Sequence, residues 1–209
     1  MPITLQSQGM LIVLAAPSGG GKSTVARALL ESDSQLAYSI STTTRPPRHD
    51  ELDGIHYNFV TEEKFRDLIA ADSFYEWARV HDNFYGTRRD VVDARLAQGV
   101  DVVMDLDVTG SLNVKKANLG AVLIFILPPS FAVLEERLRR RGTDDEAVIL
   151  KRLRNARMEV HFAEKYDYVV VNDEIEKTIS TIRLIVEAER HSANHQTMTI
   201  SDEDADSSV

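Results

Sequence analysis

Cysteine is absent from the 209 residues of this chain. Its absence excludes disulfide bonds, thiolate metal sites and a cysteine nucleophile, and it suits a reducing compartment. Long apolar stretches are missing as well: the run Met10–Ala16 has seven residues, against the ~20 needed to cross a bilayer. The first nine residues, MPITLQSQG, lack the basic flank of a secretory signal. We therefore expect a cytoplasmic protein.

Basic residues are scarce: 24 Lys and Arg stand against 33 Asp and Glu, a net charge of −9. Such a charge argues against general affinity for nucleic acid or for anionic membranes. The basic residues are nevertheless concentrated between Arg137 and Arg157, a segment that contains eight of them and only three acids. This segment is either a surface that meets an anion or a solvated helix face.

Apolar strands and amphipathic helices alternate along the chain, which predicts an α/β fold with a parallel sheet and helices on both faces. The last predicted helix starts after Asp173, as its cap, with Glu176 completing a capping box. Beyond residue 190 the chain is polar, acidic and without periodicity, so residues 191–209 are predicted to form a disordered tail. The predicted strands are Met10–Ala16, Leu36–Ser41, Tyr57–Phe59, Phe74–Val80, Val100–Asp107, Ala121–Leu127 and Tyr166–Asn172.

The stretch LIVLAAPSGGGKST joins the first of these strands to a helix through a phosphate-loop pattern. Glycines allow successive backbone N–H groups to surround a phosphate, and the helix dipole adds to the attraction. Lys22 would reach the β- and γ-phosphates, and the Ser23 hydroxyl would bind Mg²⁺. The predicted triphosphate-binding residues are Ala16, Pro17, Ser18, Gly19, Gly20, Gly21, Lys22, Ser23 and Thr24.

A second anion site is predicted in the segment STTTRPPR. Two prolines separate Arg45 from Arg48 and stiffen the backbone between them, and forked guanidinium donors suit a phosphate monoester. Tyr57 and Tyr85 would add hydroxyl donors. An ordinary surface loop is the alternative for this segment.

Two acids, Asp105 and Asp107, end the predicted strand VDVVMDLD, at the edge of the sheet where α/β proteins bind ligands. An acid in this position can orient the water bound to Mg²⁺ or a substrate amine. A helix cap is an equal alternative.

Taken together, STTTRPPR-x-x-E-x-x-G-x-x-Y-x-F-V, EWA, YGT, DLDVTG, RLRRRGT and VVVND resemble the motifs of bacterial guanylate kinases, in the family's order from about residue 10 to 190. The resemblance implies a phosphate-loop kinase core at residues 1–41, 87–136 and 158–190. It also implies an inserted GMP-binding lobe at 42–86 and a helical lid at 137–157. These enzymes transfer the γ-phosphoryl group of ATP to GMP or dGMP with Mg²⁺, giving ADP and GDP.

The resemblance also implies roles for individual residues. Arg137, Arg141 and Arg152 would close over the triphosphate, and Asn172 would join the ATP site. Ser23 and Asp107 would hold the metal. Lys22, Arg45, Arg137, Arg141 and Arg152 would be the catalytic residues. The GMP site would comprise Ser41, Arg45, Arg48, Tyr57, Glu76, Tyr85, Thr87 and Asp105, of which Ser41, Glu76, Thr87 and Asp105 would read guanine.

Guanine offers N1–H and N2–H₂ as donors, which a carboxylate accepts, whereas adenine presents an acceptor at N1; Glu76 would therefore discriminate between them. The sequence departs from the family at Ala16, Thr87 and Thr109, where glycine, serine and glutamine are common. Two alternatives stay open: a ribose-phosphate kinase on the same scaffold, and a non-catalytic guanylate-kinase-like module that binds phosphorylated peptides. The expected partners are small nucleotides, with neither nucleic acid nor membrane, and a homo-oligomer is an open expectation.

Overall fold

The computed structural model describes residues 3–80, 82–140, 142 and 145–200. Within these ranges the strands are β1 Ile3–Ser7, β2 Leu11–Ala15, β3 Leu36–Tyr38, β4 Thr42–Thr43, β5 Asn58–Phe59, β6 Phe74–Val80, β7 Asn83–Arg88, β8 Asp101–Leu106, β9 Val122–Leu127, β10 Tyr168–Val171 and β11 Gln196–Ile200. The helices are α1 Lys22–Ser32, α2 Glu62–Ala70, α3 Arg89–Leu96, α4 Val108–Ala117, α5 Phe131–Arg140, α6 Glu146–Val160 and α7 Ile175–Arg190, with 3₁₀ turns at His161–Lys165 and Ala193–His195. None of these helices is long and apolar enough to span a membrane.

The central sheet is parallel and has the strand order β10-β9-β2-β8-β3. Its middle strand, β2, is buried at every position, as expected for a strand covered on both faces. One face packs with Val25 and Leu29 of α1 and Ile182 of α7. The other packs with Val92 of α3 and Val114 of α4. The predicted α/β class with helices on both faces is confirmed.

A second sheet lies between residues 42 and 88 and has the order β5-β4-β7-β6. Its strands β6 and β7 are antiparallel and set Glu76 directly opposite Thr87. Behind the sheet, Phe65 of α2 stacks between Phe74 and Phe84, with ring centroids 4.5 and 5.4 Å away. This small aromatic core holds α2 against the hairpin, so the segment has a hydrophobic cluster of its own.

The prediction of a disordered tail from residue 191 onward is wrong for residues 191–200. Strand β11 pairs with β1 in antiparallel register, from Ile3 opposite Ile200 to Ser7 opposite Gln196. Each strand has only five residues, and its partner lies almost the whole chain away, so neither shows a local signal. Residues 201–209 lie outside the described residues.

The predicted cap of the last helix is also wrong. Helix α7 begins at Ile175, and its N-cap is Glu174, whose side chain makes no capping hydrogen bond. Asp173 lies one residue earlier and lines a cavity together with Gly21 and Arg137.

Candidate active site

The phosphate loop connects β2 to α1 at the carboxyl edge of the parallel sheet. Gly19 and Gly21 have φ angles of +89° and +93°, in the left-handed region that glycine tolerates best. Gly21 is the N-cap of α1, and no side chain caps this helix within the described residues. Its first N–H groups are therefore available to an anion. Among described non-glycine residues positive φ is found at Asp72, so Ala16 carries no such strain.

Lys22 extends from the first turn of α1 across the edge of the sheet, where its Nζ donates to the carbonyl of Leu106 at 2.8 Å. Burial lowers the pKa of the Lys22 ammonium, and nearby acids oppose this shift. The acids are Asp105, Asp107, Glu159 and Glu76. A partly buried cation with one carbonyl partner and a set of surrounding carboxylates has the environment of a polyphosphate-binding lysine.

Asp105 joins the loop to the sheet. Its Oδ2 accepts a hydrogen bond from Ser23 Oγ at 3.1 Å, and its Oδ1 accepts one from the Tyr38 hydroxyl at 2.5 Å. Burial and the Asp105 charge raise the pKa of Tyr38, so the tyrosine remains a donor. Both carboxylate oxygens of Asp105 thus face the loop hydroxyl and Tyr38, and its part in reading guanine stays a prediction.

Asp107 follows Asp105 by two residues, just beyond the end of β8. It is the N-cap of α4, where its Oδ1 accepts from the Gly110 N–H at 2.7 Å, so the helix-cap alternative holds for this acid. A Cβ built on Gly110 would lie 3.2 Å from Asp107 Oδ1 and 3.4 Å from Glu76 Oε2. The structure thus brings Asp107, rather than Asp105, towards Glu76. Asp107 also lines the cavity of the phosphate loop together with Lys22 and Ser23, so its part in the metal site stays a prediction.

Glu76 faces this cleft from β6. Its Oε1 accepts from the Thr87 hydroxyl at 2.9 Å, and Thr87 is only 1% exposed. Burial raises the pKa of the Glu76 carboxyl; the hydrogen bond from Thr87 opposes this shift, and the Asp107 charge adds to it. A partly desolvated carboxylate beside a second acid is suited to accept from a planar donor edge.

Arg45 is held in place before any ligand arrives. Its Nη2 lies 2.7 Å from Glu51 Oε1, and the two side chains are 15% and 12% exposed. Glu51 Oε2 also accepts from the Arg48 N–H at 2.8 Å. These contacts, led by the one with Arg45, lower the pKa of Glu51 to about 2.

The tyrosines lie on the same side of this arrangement. The Arg45 guanidinium lies 5.4 Å from the centroid of the Tyr57 ring, which meets the Tyr85 ring edge-on at 6.0 Å. Arg45, Tyr57 and Tyr85 therefore form one cluster, as the sequence predicts.

Asn172 connects the phosphate loop to Arg137 of α5. Its side-chain Nδ2 donates to the Gly20 carbonyl at 2.9 Å, and its main-chain carbonyl accepts from Arg137 Nη2 at 3.0 Å. Arg137 Nη1 is buried and has no hydrogen-bond partner among the described residues. Arg137, Asn172 and Gly21 line one cavity of about 450 Å³. A buried guanidinium nitrogen in a cavity at the phosphate loop is suited to an incoming phosphate oxygen.

The remaining predicted site residues make fewer contacts with the site. Ser41 is partly buried just before β4, and its carbonyl accepts from the Asn58 N–H. The Arg48 side chain is exposed, and Arg152 is partly buried in α6. Arg141 lies outside the described residues.

Sequence reasoning missed three residues that the structure places at the site: Tyr38, Glu51 and Glu159. Glu51 belongs to the quoted motif but received no role. Glu159 Oε2 accepts from the Ser18 N–H of the loop at 3.2 Å. No local pattern identifies Glu159, because it approaches the loop from the far end of α6.

The chain is similar to known proteins along most of its length. The family model for guanylate kinase matches residues 8–189. The chain is 45% identical to the guanylate kinase of Caldanaerobacter subterraneus subsp. tengcongensis, covering 90% of this chain and 91% of that one. It is 47% identical to the guanylate kinase of Rhizobium meliloti, covering 90% and 87%. The crystal structure of guanylate kinase from Anaplasma phagocytophilum superposes with a TM-score of 0.72 at 36% identity, over 92% of each chain. The chain therefore belongs to the guanylate kinase family.

Proposed function

We propose that this guanylate kinase uses two adjoining anion sites to transfer the γ-phosphoryl group of ATP to GMP, giving ADP and GDP. The observation that carries the proposal is geometric: Asp107 lines the cavity of the phosphate loop together with Lys22 and Ser23, and the same carboxylate lies with Glu76 beside Gly110. The two sites therefore adjoin. Holding two substrates side by side is a major contribution to phosphoryl transfer, in which side chains do little covalent chemistry.

Guanine is read by Glu76 and Asp107. Two carboxylates converge beside Gly110, and the guanine edge presents N1–H and N2–H₂ as adjacent donors. Thr87 orients Glu76 through its hydroxyl. Adenine offers an acceptor at N1 and leaves Glu76 without a partner, so AMP is rejected by an unpaired buried carboxylate. Ser41 is the further guanine contact.

The GMP phosphate is held by Arg45, Arg48, Tyr57 and Tyr85. Arg45 needs little reorganisation because Glu51 already fixes its guanidinium. Tyr57 packs beside it. Pre-ordered donors reduce the entropy lost when the monoester binds.

The triphosphate is held by Ala16–Thr24, with Lys22 on the β- and γ-phosphates. Arg137 lines the same cavity as Gly21 and Asn172, and its buried Nη1 has no hydrogen-bond partner among the described residues. Arg152 of α6 would close over the reacting group, and so would Arg141, which lies outside the described residues, as the resemblance to guanylate kinases implies. Their charge stabilises the transition state, an effect worth ~10³-fold or more for one arginine in phosphoryl transfer.

Ser23 and Asp105 are the residues that would hold Mg²⁺. A hydroxyl and a carboxylate are hard oxygen ligands of the kind Mg²⁺ prefers, and the two are already in contact at 3.1 Å. Mg²⁺ characteristically uses one or two protein ligands together with substrate phosphates. When bound, Mg²⁺ would offset the negative charge of the donor phosphates.

Each of the three parts of the chain has its own role in the reaction. The core at residues 1–41, 87–136 and 158–190 carries the triphosphate, the lobe at 42–86 brings GMP, and the lid at 137–157 excludes water from the reacting phosphate. The separate sheet and aromatic core of residues 42–88 support treating the lobe as a unit.

An ADP-release assay with ATP and Mg²⁺, run in turn with GMP, dGMP, AMP and ribose phosphates, tests the proposal. We expect turnover with GMP and dGMP and at least about a hundredfold lower kcat/KM with AMP. Turnover with ribose phosphates would favour the ribose-phosphate kinase, and absence of turnover with every acceptor would favour the binding module.

A further inference from the structure

A tyrosine from the edge of the central sheet contacts Asp105. Tyr38 ends β3 and lies opposite Val103 of β8, which is two residues before Asp105 on that strand. The Tyr38 hydroxyl donates to Asp105 Oδ1 at 2.5 Å, and Ser23 Oγ donates to Asp105 Oδ2 at 3.1 Å. Each oxygen of the carboxylate thus has its own hydroxyl donor, one from α1 and one from the sheet.

The main chain around Tyr38 is fixed at two points. Arg95 Nη1 of α3 donates to the Tyr38 carbonyl at 2.7 Å, and the Ser39 N–H donates to the Val103 carbonyl at 2.9 Å. Because this backbone is already ordered, the hydrogen bond to Asp105 costs little more than the freedom of one side chain. The tyrosine therefore reaches Asp105 from a rigid support outside the phosphate loop.

Packing accounts for only part of the Tyr38 side chain. Leu36, on the same strand, is 8% exposed and belongs to the core, whereas Tyr38 is 39% exposed. The Tyr38 hydroxyl has a defined partner, and hydrogen bonds to a carboxylate are about twice as strong as those between neutral groups. The contact with Asp105 is therefore the main interaction that this side chain makes.

Ser23 by itself holds Asp105 weakly. Ser23 is exposed, and a serine hydroxyl rotates to suit its surroundings. Without the Tyr38 hydroxyl, the Asp105 carboxylate would keep this one mobile donor and would turn towards water. Carboxylates that bind metals are generally held by a further hydrogen bond, and loss of that partner typically lowers metal affinity or activity by about ten- to a hundredfold.

We infer that Tyr38 is a positioning residue for the donor site: its hydroxyl keeps Asp105 Oδ2 beside Ser23, where the two residues would hold Mg²⁺. The inference rests on the proposed function, which assigns the ion to Ser23 and Asp105. The alternative is an effect on the acceptor side, because Tyr57 also contributes to the raised pKa of Tyr38 and therefore lies near it. The two roles differ in which ligand depends on Tyr38, Mg²⁺ or GMP.

Tyr38→Phe tests the inference, because it removes the hydroxyl and keeps the ring. We expect the Mg²⁺ concentration for half-maximal rate to rise about tenfold, while KM for GMP changes by less than about twofold. Tyr168→Phe is the matched control: the Tyr168 hydroxyl donates to Glu189 Oε1 at 2.6 Å, and β10 is the opposite edge of the same sheet. The control should leave both constants unchanged. Thermal unfolding checks that both variants are folded.

Calorimetric titration with the non-hydrolysable ATP analogue AMP-PNP gives a second readout that needs neither GMP nor turnover. The gain in AMP-PNP affinity on adding Mg²⁺ should be about tenfold smaller in Tyr38→Phe than in the wild-type chain, while the affinities in EDTA should agree. Titrations of Asp105→Ala and of Tyr38→Phe/Asp105→Ala complete a double-mutant cycle. Because Tyr38 acts through Asp105, its substitution should add little once Asp105 is alanine.

Three results would overturn the inference: an unchanged Mg²⁺ effect on AMP-PNP binding in Tyr38→Phe, equal changes in Tyr38→Phe and Tyr168→Phe, or additive losses in the double variant. A raised KM for GMP with an unchanged Mg²⁺ requirement would also overturn it and would assign Tyr38 to the acceptor side. A wild-type chain that does not phosphorylate GMP would contradict the proposed function, and the AMP-PNP titrations would still decide the role of Tyr38.

Discussion

Asp105 Oδ2 accepts a hydrogen bond from Ser23 Oγ at 3.1 Å, whereas Asp107, two residues further on, caps α4 and approaches Glu76. Two acids of one short motif therefore have different hydrogen-bond partners. Strand β8 ends at Leu106 and α4 begins at Val108, so Asp105 belongs to the strand and Asp107 to the cap of the helix.

Asp105→Asn and Asp107→Asn should give different kinetic defects. Asp105→Asn should lower kcat by about a hundredfold or more and raise the Mg²⁺ concentration needed for half-maximal rate, because the carboxylate beside Ser23 is lost. Asp107→Asn should instead raise KM for GMP. Steady-state rates measured over Mg²⁺ and GMP concentrations distinguish the variants. A magnesium defect in Asp107→Asn and a GMP defect in Asp105→Asn would instead support the roles predicted from the sequence.

Lys22→Ala should reduce phosphoryl transfer by about a thousandfold or more, because the cation at the β- and γ-phosphates is removed. The fold should persist. Burial lowers the pKa of the Lys22 ammonium, which means that burying this charge opposes folding, so removing it should not destabilise the chain. Coupled ADP assays and thermal unfolding measure the two effects. Lys116→Ala, in the exposed part of α4, is the control. Near-wild-type turnover in Lys22→Ala would contradict the loop assignment.

Glu76→Gln should reduce the preference for GMP over AMP and remove a pH effect. Burial raises the pKa of Glu76 above 4.5, so acidification towards that raised pKa should neutralise the carboxylate and raise KM for GMP. The free energy of unfolding depends on pH in the opposite direction to GMP binding. The native state holds the carboxyl proton of Glu76 at pH values above 4.5, where the unfolded chain has lost it. The contribution of Glu76 to stability therefore falls as the pH rises through the raised pKa. The phosphate of GMP also titrates, near pH 6, and the Gln variant measures that shared background. Identical KM profiles for both proteins would remove Glu76 from the base site.

Gly21→Ala should cost more stability than Gly54→Ala. Both glycines have positive φ, +93° and +75°, so both substitutions introduce about 1 kcal/mol of backbone strain. A Cβ at Gly21 would also lie 2.5 Å from Asn172 Nδ2, while nothing lies within 4 Å of one at Gly54. Denaturant unfolding should show the difference, and ATP affinity should fall in Gly21→Ala alone. Equal losses in both variants would mean that Asn172 moves aside freely.

Arg190→Ala should destabilise the fold by about 3 kcal/mol, because it leaves two carboxylates without their cation. Arg190 Nε lies 2.8 Å from Asp101 Oδ2, and its Nη2 lies 3.0 Å from Asp33 Oδ2. Asp101 is 4% exposed. The comparison is Arg139→Ala, whose partners Glu135 and Glu146 lie on the surface; its Tm should change little. A similar shift in Tm for both would contradict the inference.

Local sequence patterns determined much of this protein. The strand, glycine loop and lysine predict the phosphate loop, and apolar runs of five to seven residues predict the parallel sheet, because burial on both faces demands continuous hydrophobicity. The resemblance to guanylate kinases predicts that Arg45, Tyr57 and Tyr85 lie together. The phosphate loop and the strands depend on neighbours in sequence.

The tertiary structure alone decided the rest. It paired β1 with β11, assigned Asp105 to Ser23 and Asp107 to the side of Glu76, and brought Glu159 to the Ser18 N–H. Each of these relationships joins residues from different elements that no periodicity or motif spacing connects. The direction of a side chain at the end of a strand, and the partner of an edge strand, depend on how the whole chain closes around its core.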